Sequence, residues 1–544
     1  MNMRQGRKRV LLAAVLVAMI GAACGDDSDS GTSDNTTAAA VPTAGTATTT
    51  APSDVDPSGV LKIGLDLTGT GAAVFFDPIK LPSPLTPEHY LIYDTLLRSQ
   101  VDGTFKPGLA KSATIADPTT INLELNPGIK FSDGTNLDAE AVKYSIERNI
   151  ASKNTGAFAV EMQQTDTITV NSPTTLTIKL KTPIAGVYYT LLGRGETSPV
   201  SPTAAKAADA ADPKAGMGTK PVGAGPFTLE SSVVESKVRF VKNPTYFQAD
   251  QVKVSAIEYI HVTAANQVTA MKAGTVDAID NLQIATASQI TGPGLTVFQQ
   301  QSDNVLLWAQ ICKRDAPLSD VKVRQALNFG LDRDAINNVM YGGKSEPQWG
   351  FFGTKSPLYD ATLKDYFKRD VAKAKQLLTE AGFPNGLKLN FMITAGDSQK
   401  VSELIQAQWK EIGVDLQLTL TQNVLTDFFI PNPKGAGMFF PLQRSGLDKV
   451  TRNLVPGSIG NICNWDDPDL NALVDKIRAV QPTSAEAKTL WSQLQKLALE
   501  RAMNIFGVYG VTSNAYTDKV GNATFIANFQ GIPYLDVLHA YKKK

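Results

Sequence analysis

Alternating and helical spacings of apolar residues divide the chain from Gly59 onward into interleaved strands and helices. In LKIGLDL, Leu61, Ile63, Leu65 and Leu67 share one face at period two, and TLTIKLKTP does the same with Leu176, Ile178 and Leu180. Such alternation predicts half-buried strands. TINLELNPGIKFSDG predicts a strand, a Pro127-Gly128 turn, a short second strand and the Asp133-Gly134 turn. Asp138 then caps an amphipathic helix that buries Val142 and Ile146, four residues apart.

Helical periodicity dominates further on. DVAKAKQLLTEAGFPNG offers Asp370 as N-cap, Leu377, Leu378 and Ala381 on one face, Gly382 as the stop and Pro384 beyond it. SQKVSELIQAQWKEIGVDLQL repeats this from Ser398 through Leu404, Trp409 and Ile412 to Gly413, then enters a strand. AEAKTLWSQLQKLALERAMNIFGVY carries Leu490, Leu494 and Leu497 and ends in an apolar, strand-like run. The class is mixed α/β. Between these elements, SPVSPTAAKAADAADPKAGMGTKPVGAGPF, starting at Ser198, predicts a surface excursion suited to a domain crossing.

The first 24 residues follow a different pattern. Arg4, Arg7, Lys8 and Arg9 precede LLAAVLVAMI, an apolar run too short to span a bilayer, which predicts a secretion signal. GAAC then places small residues before Cys24 and resembles a lipoprotein processing site, where Cys24 becomes the lipidated N-terminus; the alternative is a plain secretory signal with an incidental cysteine. Residues 25–56 are Ser, Thr, Ala, Gly, Asp, Asn and Pro with two valines, too little apolar surface to offset ordering entropy, and predict a disordered tether.

Composition narrows the function. With 544 residues, 43% apolar and 19% charged, the chain has room for two or three domains. Basic and acidic residues both total 52, and loss of the leader leaves the mature chain at net −4, so no basic field exists to hold nucleic acid. Besides Cys24 there are Cys312 and Cys463, which in an oxidising compartment form a disulfide or remain two buried thiols. His89, His261 and His539 stand in separate elements, so neither a metal site nor a histidine-based nucleophile relay is expected. GKS at Gly343–Ser345 lacks the leading glycine of a phosphate loop, with Asn338 in its place, and no dinucleotide turn or G-x-S-x-G occurs. No enzyme and no cofactor are expected.

The blocks of sequence, taken in order, resemble one family. YDTLLRSQVDGTFKPGLAKSATIADPTTINLELNPGIKFSDGTNLDAEAVKYSIER, PVGAGPFTL, KNPTYF, AMKAGTVDAI, DVKVRQALNFGLDRDAINNVMYGG, AKQLLTEAGFPNG and AQWKEIGVDL are similar to the family 5 solute-binding proteins of ABC transporters, over roughly residues 59 to 520. The resemblance implies a two-lobed, periplasmic-binding-protein-like fold of type II, cluster C, with a small extra domain inserted in the N-terminal lobe. Mapped here, residues 1–24 are the signal and 25–56 the tether. Lobe I takes 57–92, 200–311 and 504–544, the extra domain 93–199, and lobe II 312–503. It also implies a monomer at the outer face of the cytoplasmic membrane that closes on a solute, most readily a peptide. The loaded form would then dock on a permease served by ATPase subunits. Relatives on this scaffold take metal-chelator complexes, haem, opines or oligosaccharides, and a ligand-presenting signalling lipoprotein is the alternative outside transport.

For the ligand site, the resemblance points to the loop MFFPLQRSGLDKVTRN, with Asp448 matched to an aspartate that pairs with a peptide's α-amino group and Arg444 free to face a carboxylate. Trp349 and Trp465 lie in loops outside apolar periodicity and are candidate cleft walls, whereas Trp409 and Trp491 sit at helical spacing and belong to the core.

Overall fold

Ten strands form one sheet, in the order 414–420, 387–393, 437–443, 295–311, 505–517, 278–279, 60–65, 256–261, 237–242, 227–233. The computed structural model describes residues 54–67, 76–80, 87–100, 102–152, 159–282, 284–429, 433–443, 446, 448–458, 460–462, 465–527 and 533–544. The signal, Cys24 and the tether up to residue 53 lie outside the described residues.

The sheet has two halves that share only the strands Leu295–Ile311 and Ile505–Thr517, which run antiparallel through both. In one half, residues 295–302 pair with 517–510, and the strand at 278–279 continues the sheet outward from Tyr516. In the other, Leu306–Ala309 pair with Tyr509–Ile505, and Val305–Ile311 pair with Gln443–Gly437 on the far side. Between them the register breaks: Ser302 faces Gly510 and Leu306 faces Tyr509, so three residues on one strand have no counterparts on the other. A bulge of this kind weakens the ladder locally and bends the strand.

Each half is built by the patterns read in the sequence. Leu61 and Ile63 are fully buried in a strand flanked by parallel neighbours. Leu387–Ile393, the helix Asp397–Glu411 and Val414–Leu420 make a parallel strand–helix–strand unit, closed by Gly413 in the left-handed conformation. Asp370 caps its helix by accepting from the Lys373 N–H at 2.8 Å, and Gly382 follows that helix at φ 89°. The helix Ala485–Glu500 buries Leu490 and Leu494 and leads into the central strand 505–517.

A separate four-stranded antiparallel sheet, 110–117, 120–125, 175–180, 165–172, buries Leu176 and Ile178 against the helix Ala139–Ala151. Asp138 accepts from the Ala141 N–H at 3.0 Å, and Val142 and Ile146 are fully buried. The Arg148 guanidinium at the end of that helix spans two carboxylates. It meets Asp77 at 2.7 and 2.8 Å and Asp209 at 2.8 Å, the latter on the helix Pro202–Ala211.

Four local expectations change. The short strand after Pro127-Gly128 is only a single bridge, Lys130 to Asn136, because the Asp133-Gly134 turn closes at once, with Gly134 donating to Phe131 O at 2.9 Å. The excursion from Ser198 contains a helix: Ser201 caps it by accepting from Ala204 N–H, Pro202 occupies its first turn, and alanines propagate it. Ser398 is inside its helix rather than at the cap, and its hydroxyl donates to Phe439 O at 2.7 Å. Residues 54–56, assigned to the tether by composition, are ordered because Val55 bridges Lys543 and the Asp56 N–H donates to Lys542 O.

Candidate functional site

The register break does not stand alone. Residues 345–354, here called the strap, cross it and bind three elements. The Ser345 hydroxyl donates to Tyr509 O at 2.6 Å, the Tyr509 N–H to Glu346 O at 3.2 Å, and the Gln348 N–H to Gly507 O at 3.0 Å, which fastens the strap to one shared strand. From the other shared strand, Gln301 Nε2 donates to Glu346 Oε1 at 2.6 Å. The same carboxylate accepts from the Thr354 N–H at 2.8 Å and the Thr354 hydroxyl at 3.1 Å. From the helix Asp448–Leu454, the fully buried Lys449 donates to Phe351 O at 2.8 Å and lies 4.2 Å from the centre of the Phe352 ring.

Charge in this junction is strongly perturbed. Burial pushes Lys449 down to about 7, with the nearby Asp303 carboxylate opposing the shift. Burial pushes the Asp303 carboxyl up; Lys449, the Gln301 amide and the Gly353 N–H pull it back, and the charge of Glu346 adds to the rise. Gly353 leaves room for this cluster: a Cβ there would stand 2.5 Å from Asp303 Oδ1, 2.6 Å from Glu346 Oε1 and 2.7 Å from Gln301 Nε2, so those side-chain ends would have to shift.

Beside the strap lies a cavity of about 540 Å³ whose walls include Arg333, Glu346, Trp349, Thr354, Tyr359 and Tyr509. Trp349 is half-buried, with the Arg333 guanidinium 5.0 Å from its ring. Arg333 is buried in the first turn of its helix, which Asp332 caps by accepting from the Ala335 N–H. Its donors go to the carbonyls of Phe506, Asn328 and Phe367, and burial lowers it to about 9. An aromatic wall over a fixed cation can hold a flat or apolar group while the rim carboxylate and phenols offer polar contacts.

The other sequence candidates are placed differently. Trp465 is half-buried 5.3 Å from Lys313 Nζ, at the end of the 295–311 strand remote from the break. Lys313 is buried and pushed down to about 7 by desolvation and by Arg324. Among the described contacts, Trp349 and Trp465 therefore do not meet. Asp448 starts its helix; Arg444 and Cys463 lie outside the described residues. Cys312 is disulfide-bonded. Trp409 and Trp491 are core residues, as their spacing predicts. His89 is buried and held down to about 4 by desolvation, His261 Nδ1 accepts from the Leu67 N–H at 3.0 Å, and His539 faces Asp536 at 2.6 Å. Gly342 and the first residue of the GKS stretch, Gly343, end a helix, donating to Asn338 O and Asn337 O. Asp303, Glu346 and Lys449 were not singled out from sequence. The polar run QQQSDN at 299–304, interrupting an otherwise apolar strand, was the one available signal.

Residues 104–430 match the family model of bacterial extracellular solute-binding proteins, family 5. The chain belongs to that family. The glutathione-binding protein GsiB of Shigella flexneri is 29% identical over 344 residues, covering 60% of this chain and 63% of the relative, so the match spans less than two thirds of that protein. Two solved structures show the same fold. HbpA2 from Haemophilus parasuis has a TM-score of 0.76 at 21% identity, covering 89% of this chain and 100% of its own. DppA from Helicobacter pylori, in complex with the peptide STSA, has a TM-score of 0.70 at 21% identity, covering 90% and 99%. The family's two-lobed fold accounts for a sheet whose halves share two strands, and the family is one of extracellular proteins. No helix among the described residues is long and apolar enough to cross a membrane.

Proposed function

We propose that this chain is the solute-capturing component of an ABC importer and that it takes peptides between its two lobes by hinge closure. The reading rests chiefly on the broken register at Ser302 and Leu306: two halves of a sheet that share two strands, with the ladder between those strands interrupted by three unpaired residues on one of them, can rotate about that short segment. Family membership supplies the class, and relatives named for glutathione and for a bound peptide favour a peptide over other solutes. The sequence mapping gives lobe I 57–92, 200–311 and 504–544, the extra domain 93–199 with its four-stranded sheet, and lobe II 312–503; a hinge at Ser302 and Leu306 assigns residues 306–311 and 504–509, which carry the ends of the two shared strands, to lobe II. Trp349, Asp448 and Arg444 contact the peptide; Trp465 stands further out. Lipidation at Cys24 holds the monomer near the permease and its ATPase subunits, raising their encounter rate.

The test is native mass spectrometry of the full chain, followed by titration with a defined di- to pentapeptide library. Retained or micromolar peptide is expected, and a protein that holds none removes the peptide claim. Trp349→Ala should weaken binding by about 2 kcal/mol, roughly thirtyfold in Kd, while the melting temperature stays nearly unchanged. Unaltered affinity in that variant would place the ligand elsewhere.

A further inference from the structure

We propose that a second cavity, walled by the helix Pro87–Tyr93, the strand pair 97–99 and 105–107 and the C-terminal segment 533–539, binds a small monocyclic aromatic carboxylate, with the ring among tyrosines and the carboxylate on Arg98. This goes beyond the transport reading and does not depend on it: the cavity shares no lining residue with the one beside the strap.

Size and walls set the body of the ligand. The helix contributes Tyr90 and Leu91 and ends at Asp94, whose left-handed φ of 54° turns the chain into the strand Leu97–Ser99. The strand Phe525–Ala527 pairs with Pro533–Leu535, which sets Ile526 opposite Tyr534 on another side of the cavity. The cavity measures about 190 Å³. A dry apolar cavity of about 150 Å³ is enough to take benzene, so one ring with a short acid arm fits here. Tyr90, Tyr246, Tyr259 and Tyr534, with the rings of Pro107 and Pro226, present faces and edges that suit a flat ring better than a branched aliphatic body.

The polar end sets its charge. Asp94 accepts from the Thr95 N–H at 2.8 Å, from Arg98 Nε and Nη2 at 3.2 and 2.7 Å, and from the Tyr246 hydroxyl at 2.8 Å. Asp536 accepts from the Leu538 N–H at 3.3 Å and faces His539 Nδ1 at 2.6 Å. Both carboxylates are thereby engaged by the protein's own donors. The cations are not fully engaged in return. Arg98 sends Nη2 on to Gln248 Oε1 at 3.0 Å, but among the described residues its Nη1 makes no hydrogen bond, and 26% of the side chain is exposed. Lys106 lines the same cavity from an exposed position and has no ion pair among the described residues. The charges of Arg98 and Lys106 both bear on His539, which gathers the basic groups at one end. A ligand carboxylate therefore gains a charge-assisted hydrogen bond from Arg98, whereas an ammonium would have to compete with donors already in place.

Isothermal titration calorimetry of the full chain with phenylacetate at pH 7 tests this. A Kd of about 0.1–1 mM is expected for a ligand of this size, and phenethylamine, with the same ring and the opposite charge, should bind at least about tenfold more weakly. Arg98→Lys keeps a cation for Asp94 but removes Nη1, and should weaken phenylacetate by about tenfold. Ile526→Asp places a repelling charge beside the cavity at an exposed position, should weaken it comparably, and serves if the first variant does not fold. Repeating the wild-type titration with saturating peptide should leave the Kd for phenylacetate unchanged. Absence of binding, equal binding of phenethylamine, unaltered affinity in either folded variant, or displacement of phenylacetate by peptide overturns the proposal.

Discussion

Replacing Arg148 with methionine should cost the fold about 3–5 kcal/mol, the range for leaving one member of a buried ion pair without its partner. Asp77 is completely buried, and Arg148 gives it two charge-assisted hydrogen bonds. Burial alone would raise the Asp77 carboxyl, but the hydrogen bonds and charge of Arg148, with the N–H groups of Met217 and Ile79, hold it below its ordinary value. A depressed carboxyl contributes stability above its unfolded value and loses it as pH falls through the folded one, so the wild type should also weaken below about pH 4 through this group. Urea unfolding at pH 7 measures the first effect. The double variant Asp77→Asn with Arg148→Met should recover a large part of the loss, because no buried charge then lacks a partner. If the double variant is as unstable as the single one, the cost lies in packing of the arginine stem.

Trp308→Ala should be comparably damaging, about 3–5 kcal/mol, and its damage should centre on the crossover. The indole is fully buried in the shared strand 295–311, edge-to-face with Phe351 of the strap at 6.0 Å and with Phe506 of the other shared strand at 6.2 Å. Phe351 reaches on to Trp491, so one aromatic cluster joins both shared strands, the strap and the helix Ala485–Glu500. Loss of its centre should lower the thermal midpoint by several degrees. It should also speed exchange in residues 345–354 more than in the four-stranded sheet, which among the described residues shares no aromatic contact with the cluster. Uniform acceleration across both regions would show that Trp308 supports the fold at large and not the hinge.

The sequence revealed what is local. Asp138, Asp370 and Gly413 act through backbone groups within four residues of themselves, and Leu176 and Ile178 announce their face by period two, so caps, stops and strands could be read directly. The blocks that resemble family 5 fixed the architecture. The junction was opaque because its partners are distant in sequence: Gln301 and Glu346 are 45 residues apart, Arg148 and Asp77 71. Burial of a lysine cannot be read from its neighbours either. Lys449 follows Asp448 in a polar stretch of sequence, yet it is fully buried because Phe351 and Phe352 arrive from about a hundred residues away. Trp349 and Trp465 looked equivalent by spacing and composition, and only the path of the 295–311 strand separates them. The helix at 202–211 was obscured by flanking Pro and Gly, although its Ser201-Pro202 start carries an ordinary capping signal.

The central claim is that solute brings two lobes together about the register break. Spin labels at the exposed positions Lys272 and Lys410, one in each half and each introduced as Lys→Cys, report that distance directly by double electron–electron resonance. With a peptide whose binding calorimetry has established, the distance distribution should shorten and narrow. A distribution unchanged at saturating peptide would contradict the account, since ligand would then be held without movement about Ser302 and Leu306.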